Sequence, residues 1–187
     1  MRRLVKRLLA GSALSRIGSD QRGMAAVEFA LIAPVAILLY GGLAELTMAM
    51  MAERRAAHTA SVVADLVSQT PSVSATTDIP DIFAIGGAIL YPFPATALKI
   101  RVTSVTADAQ GVPRVTWSQA QGMSGLIGGA AVAGFPPALL AAGDSVIKTD
   151  VQYAYTSPLM MILPAPVTFN DTFYLKPRRS ASVALTP

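Results

Sequence analysis

Residues 23–51 of the chain read GMAAVEFALIAPVAILLYGGLAELTMAMM. No residue from 29 to 44 is charged, and the uncharged run ends only at Glu45. Counted from Met24, the segment is predominantly apolar for more than the roughly 20 residues with which a helix crosses a bilayer. The sequence therefore predicts one transmembrane helix over residues 24–52, around which the rest of the chain is organised.

Positive charge is concentrated before this segment. Residues 1–23 carry six Lys/Arg against one Asp, whereas the remainder has nine Lys/Arg and ten Asp/Glu. Only Arg54 and Arg55 closely follow the apolar run, so the positive-inside rule places the N-terminus in the cytoplasm and the C-terminal part outside it. The near-neutral remainder lacks the basic stripe that nucleic-acid binding requires. Membrane lipid is an expected partner, and nucleic acid is not.

A removable secretory signal is the alternative interpretation of residues 1–51. Such a signal has an apolar core of roughly 7–15 residues and a small-residue cleavage site. The apolar run here is longer, and no clear A-x-A site leads into polar sequence. The small residues Ala44, Ala49 and Ala52 nevertheless leave this alternative open, and it would make the product soluble.

Two residues of the apolar segment differ from their surroundings. Glu28 places a carboxylate at the edge of hydrocarbon, where it is costly unless it has a partner or reaches the interface. Both explanations are open on physical grounds alone. Pro34 removes a backbone donor and is expected to bend or loosen the helix. Pro is also commoner in membrane helices than in soluble ones, so simple tolerance is the second explanation.

The residues Gly23-Met24-Ala25-Ala26-Val27-Glu28-Phe29 resemble the processing site of type IV pilin-like precursors. In that class a basic leader ends in Gly, a prepilin peptidase cuts after it, and a glutamate is the fifth residue of the mature chain. With the continuation ALIAPVAILLYGGLAEL, the segment is similar to the TadE/TadG-like minor pseudopilins of the Tad (Flp) pilus. The resemblance is close from Arg22 to about Glu45 and looser around residues 153–158 and 175–180.

This resemblance implies roles for particular residues. Residues 1–23 would be a leader peptide, and cutting between Gly23 and Met24 would create a new amino group on Met24. Glu28 would pair with that amine on a neighbouring subunit and set the register of assembly, with Phe29 beside it. Phe29 stands where the major Flp pilins typically have Tyr. Together with the large C-terminal part, this difference favours a minor pseudopilin that primes or regulates assembly of an adhesion pilus.

The same resemblance implies partners and a location. The partners would be a prepilin peptidase, other pseudopilins, the major pilin and the inner-membrane assembly platform of the pilus. The protein would be a single-pass protein of the bacterial inner membrane with a periplasmic C-terminal domain, able to enter the extracellular pilus. The rival hypothesis is an uncleaved inner-membrane protein whose periplasmic domain binds a ligand or scaffolds a complex. Processing at Gly23 distinguishes the two.

Downstream of the span, the sequence predicts an α+β, pilin-like fold in which a long N-terminal helix packs on a small antiparallel sheet. Small and apolar residues recur at three- and four-residue intervals over residues 53–69, which predicts a continuation of the helix. A break near Ala52 is the alternative. Residues 70–187 form the predicted extracytoplasmic domain, and Thr70–Pro80 is interpreted as a polar linker.

Shorter elements follow in this domain. Asp78 or Asp81 is expected to cap a short helix through about Tyr91. Alternation and turn residues then predict the remaining elements. They are a hairpin of Leu98–Ala107 and Val112–Gln119, a long loop over Gly122–Gly143 with a helical turn at Pro137–Ala142, a strand over Ser145–Thr156, and a last strand or strand pair in Thr168–Leu185 interrupted at Pro177.

No catalytic constellation is visible in the sequence. The single histidine, His58, and the absence of cysteine make a structural zinc site very improbable. Neither a G-x-S-x-G elbow nor a phosphate-binding G-x-x-x-x-G-K-[ST] loop is present. We therefore expect no catalytic, cofactor-binding or metal-binding residues and no enzymatic activity, and a secreted enzyme is the weakest of the alternatives.

Overall fold

The computed structural model describes residues 23–136 and 139–187, and it begins with one long helix. Helix α1 spans Met24–Ser68, continues through Pro34 and has no break near Ala52. Its 45 residues make a rod of roughly 70 Å at 1.5 Å per residue. The contacts within the chain divide it into two units, one up to Ala44 and one from Glu45 to Pro187.

The described part of the first unit is a helix whose large apolar side chains face outward on every side. Its large apolar side chains are all exposed, from Met24 to Leu43. A helix that is apolar all round belongs in lipid or in the core of a larger assembly. Residues 24–44 span roughly 30 Å, which is the thickness of the hydrocarbon layer. Among the described residues, α1 alone is long and apolar enough to cross a membrane.

In the second unit, α1 presents a stripe of small side chains to a core. The stripe residues are almost completely buried and recur at intervals of three and four, which places them on one face of the helix. Small side chains allow the helix backbone to approach its neighbours closely. The stripe consists of Ala49, Ala52, Ala56, Ala60, Val63, Ala64 and Val67.

The core on which this stripe packs is built from a four-stranded antiparallel sheet. The sheet has the order β3-β2-β4-β5, and a β-bulge interrupts the β2–β3 register at Ser104/Val105. A second, two-stranded sheet pairs β1 with β6 in parallel. The fold is thus α+β, as predicted. The strands are β1 Ser72–Ser74, β2 Leu98–Ala107, β3 Pro113–Gln121, β4 Ser145–Tyr155, β5 Val167–Leu175 and β6 Ala184–Thr186.

Strand β4 shows the alternation that its sequence predicts. Ile147, Val151, Tyr153 and Tyr155 are buried in the core, whereas residues such as Lys148 point to the opposite face. The predicted hairpin is also present, because β2 and β3 pair antiparallel from Ala107 and Pro113 onward.

Trp117 closes the core at β3. The side chain is buried, and its indole Nε1–H donates a 2.7 Å hydrogen bond to the carbonyl of Val183. The C-terminal segment, which passes through Pro177 and ends in β6, is thereby tied to the sheet. The interruption between two C-terminal strands that Pro177 predicted is confirmed.

Two predictions about residues 70–90 are wrong. The expected linker contains strand β1, which is too short to show alternation and forms only because β6 supplies its partner. Helix α2 spans Asp78–Ile89, and its N-cap is Thr77, whose side chain makes no capping bond. Asp78 instead lies in the first turn, where its Oδ2 accepts a 2.8 Å hydrogen bond from the N–H of Ser74.

Residues 122–136 and 139–143 form the predicted long loop. One isolated bridge, between Arg114 and Ala131, ties this loop to β3. Ser118 Oγ also accepts a 3.0 Å hydrogen bond from the N–H of Leu126. The helical turn predicted at Pro137–Ala142 includes residues 137 and 138, which lie outside the described residues.

A half-buried ion network holds the outward face of the sheet. Asp150 Oδ2 accepts hydrogen bonds of 3.0 and 2.8 Å from Nε and Nη2 of Arg101, and Oδ1 accepts one of 2.7 Å from Thr172. Lys148 Nζ also binds Oδ1. Burial raises the pKa of Asp150, but the hydrogen bonds from Lys148, Thr172 and Arg101 outweigh it and hold that pKa below its ordinary value.

We expect Asp150→Asn to lower the free energy of unfolding by about 1–3 kcal/mol at neutral pH, because charge-assisted hydrogen bonds are lost. A carboxyl with a depressed folded-state pKa stabilises the fold above its unfolded pKa of about 3.9 and loses that contribution as pH falls through the folded pKa. The difference between variant and parent should therefore shrink below about pH 4.

Urea unfolding of the full chain in detergent, compared at neutral and acidic pH, measures this effect. Asp171→Asn is the matched control, since Asp171 lies on the adjoining strand and has no ion pair among the described residues. A stability difference between Asp150→Asn and parent that is the same at both pH values would contradict the network's role.

Two adjacent glycines of α2 offer a matched test of packing. A Cβ on Gly86 would lie 2.9 Å from Ile100 Cδ1 and 3.2 Å from the Cγ2 atoms of Thr59 and Val63, whereas one on Gly87 would meet only Ala95 Cβ at 3.4 Å. We expect Gly86→Ala to be less stable than Gly87→Ala by about 1–3 kcal/mol, because overpacking costs that much. Thermal unfolding of both variants measures the difference, and equal stabilities would show that α2 is not closely packed at Gly86.

Candidate functional site

The predicted processing segment lies at the exposed start of α1. Gly23 directly precedes the helix, and Met24 is largely exposed. A Cβ built on Gly23 would meet no described atom within 4 Å. Nothing in the described packing therefore requires glycine here, so a requirement for glycine would have to come from a partner that handles the extended backbone.

Glu28 lies one helical turn after Met24 on the same side of α1. The rise of 1.5 Å per residue separates the two Cα atoms by roughly 6 Å along the axis. The Glu28 side chain is exposed, and none of the ion pairs among the described residues involves it. Phe29 and Pro34 are also exposed, but helical spacing places them on other sides of α1 than Met24 and Glu28. All four residues are therefore accessible to other chains.

Glu45 is a residue whose importance the sequence did not reveal beyond marking the end of the uncharged run. Its side chain is fully buried, and Oε2 accepts hydrogen bonds of 2.6 Å from the N–H of Ile162 and 3.2 Å from that of Leu163. A buried carboxylate is tolerated only when it is hydrogen-bonded in this way. No pattern in the sequence identifies these donors, although residues 151–170 contain no charged side chain that could pair with Glu45.

The loop that Glu45 binds is residues 158–164, between β4 and β5, and we call it the 158–164 loop. Ser157 Oγ accepts hydrogen bonds of 3.3 and 3.4 Å from the N–H groups of Leu159 and Met160. Met160 has a φ of 51°, a left-handed conformation that costs a non-glycine residue roughly 1–2 kcal/mol. Side-chain oxygens of Glu45 and Ser157 thus fix the loop backbone, while the side chains of Leu159 to Ile162 are exposed and Leu163 packs against the core.

Three further ionisable groups of the second unit make hydrogen bonds within its fold. A hydrogen bond from Arg114 lowers the pKa of Asp108, and one from Lys176 lowers the pKa of Asp144. Burial raises the pKa of Tyr153, whose hydroxyl donates to the carbonyl of Pro94 at 3.2 Å. These groups are engaged in structural bonds.

The remaining candidates offer no assembled chemistry. Arg178 Nη2 lies 2.7 Å from Asp65 Oδ1, and this ion pair holds the C-terminal segment to α1. His58 is exposed on α1. Within residues 23–136 and 139–187, no three His, Asp or Glu side chains lie close enough together to hold a metal ion. The concavities are shallow, about 290–400 Å³ in volume.

Comparison with known proteins finds a similarity over the long helix and none over the sheet. The family model described as TadE-like protein matches residues 23–65, and no curated protein or solved structure matches the chain. The match begins at Gly23, includes Glu28, Pro34 and Glu45, and ends within the buried part of α1. The apolar helix α1 and this match fit a membrane-anchored protein of the Tad pilus system. The resemblance to the TadE-like family is thereby confirmed over residues 23–65.

Proposed function

We propose that this chain is a minor pseudopilin of a Tad-type pilus. It is inserted in the bacterial inner membrane, cut after Gly23 by a prepilin peptidase, and then joins other pilins to prime or regulate assembly of an adhesion pilus. The observation that carries this proposal is the TadE-like match, which starts at Gly23, immediately before α1. The exposed apolar residues up to Ala44 supply the surface that other helices or lipid would cover.

Cleavage would change the electrostatics of the helix start. It removes six Lys/Arg and one Asp and creates an ammonium group on Met24. In a layer of low dielectric, that cation and the Glu28 carboxylate are each costly alone and compensate each other when paired. Pairing between neighbouring subunits sets their axial offset. Because desolvation offsets much of the attraction, the pair contributes more to register than to net stability.

In this proposal the second unit serves recognition rather than catalysis. It stands in the periplasm and contacts other pseudopilins, the major pilin or the inner-membrane assembly platform. An uncleaved single-pass protein with a binding or scaffolding domain is the rival function. It is favoured by the fully built domain that follows Glu45, which extends well beyond the TadE-like match. Processing decides between the two.

We expect the chain from a host with prepilin peptidase to begin at Met24, and from a host without it to begin at Met1. Gly23→Asp should leave an uncut, membrane-held precursor, since a side chain at this position obstructs the protease cleft. Gly18→Asp adds the same charge to the leader without touching the bond and should be cut normally. Intact mass and N-terminal sequencing give the start of each chain.

Normal cutting of Gly23→Asp would exclude a prepilin peptidase as the processing enzyme. A chain beginning at Met1 in both hosts would establish the uncleaved anchor. A chain beginning beyond Ala44 would mean an ordinary signal peptide and a soluble product.

We expect Glu28→Ala to be cut normally and yet to abolish or strongly reduce piliation, because a Met24 amine without its partner is left unpaired at a typical cost of about 3–5 kcal/mol. Glu53→Ala is the matched control, since Glu53 is an exposed glutamate of the same helix. Filament counts by electron microscopy, together with the mature mass, separate processing from assembly. Unchanged piliation in Glu28→Ala would show that this carboxylate does not set register.

A further inference from the structure

The 158–164 loop exposes an unusual run of apolar side chains. Leu159, Met160, Met161 and Ile162 are 47%, 55%, 42% and 51% exposed, and they are consecutive. No charged residue occurs anywhere from 151 to 170. Exposed apolar residues are common singly, whereas a contiguous patch marks a surface that contacts a protein or a membrane.

Four backbone N–H groups of this loop have hydrogen-bond acceptors within the protein. Glu45 Oε2 binds the N–H groups of Ile162 and Leu163, and Ser157 Oγ binds those of Leu159 and Met160. An N–H group that enters an apolar layer without a partner costs several kcal/mol. With four N–H groups bound inside the protein, the loop can leave water without losing those hydrogen bonds.

The loop is fixed to the point of the chain where the apolar run stops. Glu45 is the first charged residue after 29–44, and it holds the loop directly. If the exposed part of α1 spans hydrocarbon, then Glu45 lies where the helix leaves it. The N–H groups that Glu45 binds are then within hydrogen-bond distance of a residue at that boundary.

An exposed aromatic residue lies toward the same end of the second unit. Helix α2 runs antiparallel to α1, because Thr59 Oγ1 donates to the carbonyl of Gly86 while Arg55 Nη1 donates to that of Ile89. The segment after α2 therefore continues toward Glu45, and it carries Tyr91, which is 77% exposed. Tyrosine is enriched at membrane–water interfaces, where its ring meets both phases.

We propose that the 158–164 loop and Tyr91 dock into the interfacial layer of the membrane and hold the second unit against the bilayer. The partner is a lipid surface, to which the uncharged loop adds apolar contact rather than electrostatic attraction. This inference rests on membrane anchorage through α1 and not on the pilus function or on cleavage at Gly23. It explains why Met160 keeps its side chain exposed at a strained backbone position.

The chain has no cysteine, so a single introduced cysteine can be labelled at one known position. The full chain carrying Met160→Cys, labelled with a fluorophore sensitive to polarity, is reconstituted at low density into phosphatidylcholine vesicles. Gln110→Cys is the matched control, since Gln110 is exposed in the β2–β3 turn. That turn lies at the end of β2 opposite to Leu98, which pairs with Tyr153 just before the loop. Circular dichroism confirms that both labelled chains are folded.

We expect lipid brominated near the headgroup to quench the Met160→Cys label several-fold more strongly than the Gln110→Cys label, and aqueous iodide to do the reverse. Equal access of iodide to both labels would overturn the proposal. The Met160→Cys label could also show the emission of an apolar environment that brominated lipid does not quench and that disappears on dilution into excess lipid. That result would mean that the loop contacts a second copy of the chain, and it would also overturn the proposal. Cleaved and uncleaved chains should behave alike, so the result is independent of the proposed processing.

Discussion

The fold depends on a change in what surrounds α1 at Glu45. Before this residue the large apolar side chains of the helix are exposed, and after it a stripe of small residues is buried in a core. A carboxylate at such a boundary is expensive unless its oxygens receive hydrogen bonds. The N–H groups of Ile162 and Leu163 both donate to Oε2, whereas Oε1 is buried without a hydrogen-bond partner among the described residues. The two bonds to Oε2 fix a loop more than a hundred residues away in sequence.

Features with a short repeat could be predicted from the sequence. The stripe from Ala49 to Val67 repeats at helical spacing, and β4 alternates between buried and outward residues from Ile147 to Tyr155. In each case the sequence of the element itself shows which face is buried. Strand β1 could not be predicted, because three residues carry no period and their pairing with β6 is long-range. The cap at Thr77 was missed because Asp78 is a good capping residue whose oxygen is used instead by Ser74.

The candidate processing site was visible in sequence for a different reason. Glu28 and Pro34 lie on one continuous helix and Gly23 directly precedes it, so their relative positions follow from spacing alone and need no tertiary structure. The position of the 158–164 loop, by contrast, could not be predicted from spacing. Its position depends on Glu45 and Ser157 acting on the same backbone, and no sequence pattern records that convergence. The TadE-like match likewise follows the helix and ends before the sheet begins.

The buried Trp117 has a practical consequence. It is the chain's one tryptophan, and its indole N–H is bound to the carbonyl of Val183 in the segment that leads into β6. Intrinsic fluorescence excited selectively at tryptophan therefore comes from a single place, the seam between the main sheet and the C-terminal segment. Detachment of that segment would alter the emission even while α1 remained helical. Tryptophan fluorescence can thus distinguish detachment of the C-terminal segment from unfolding of the long helix.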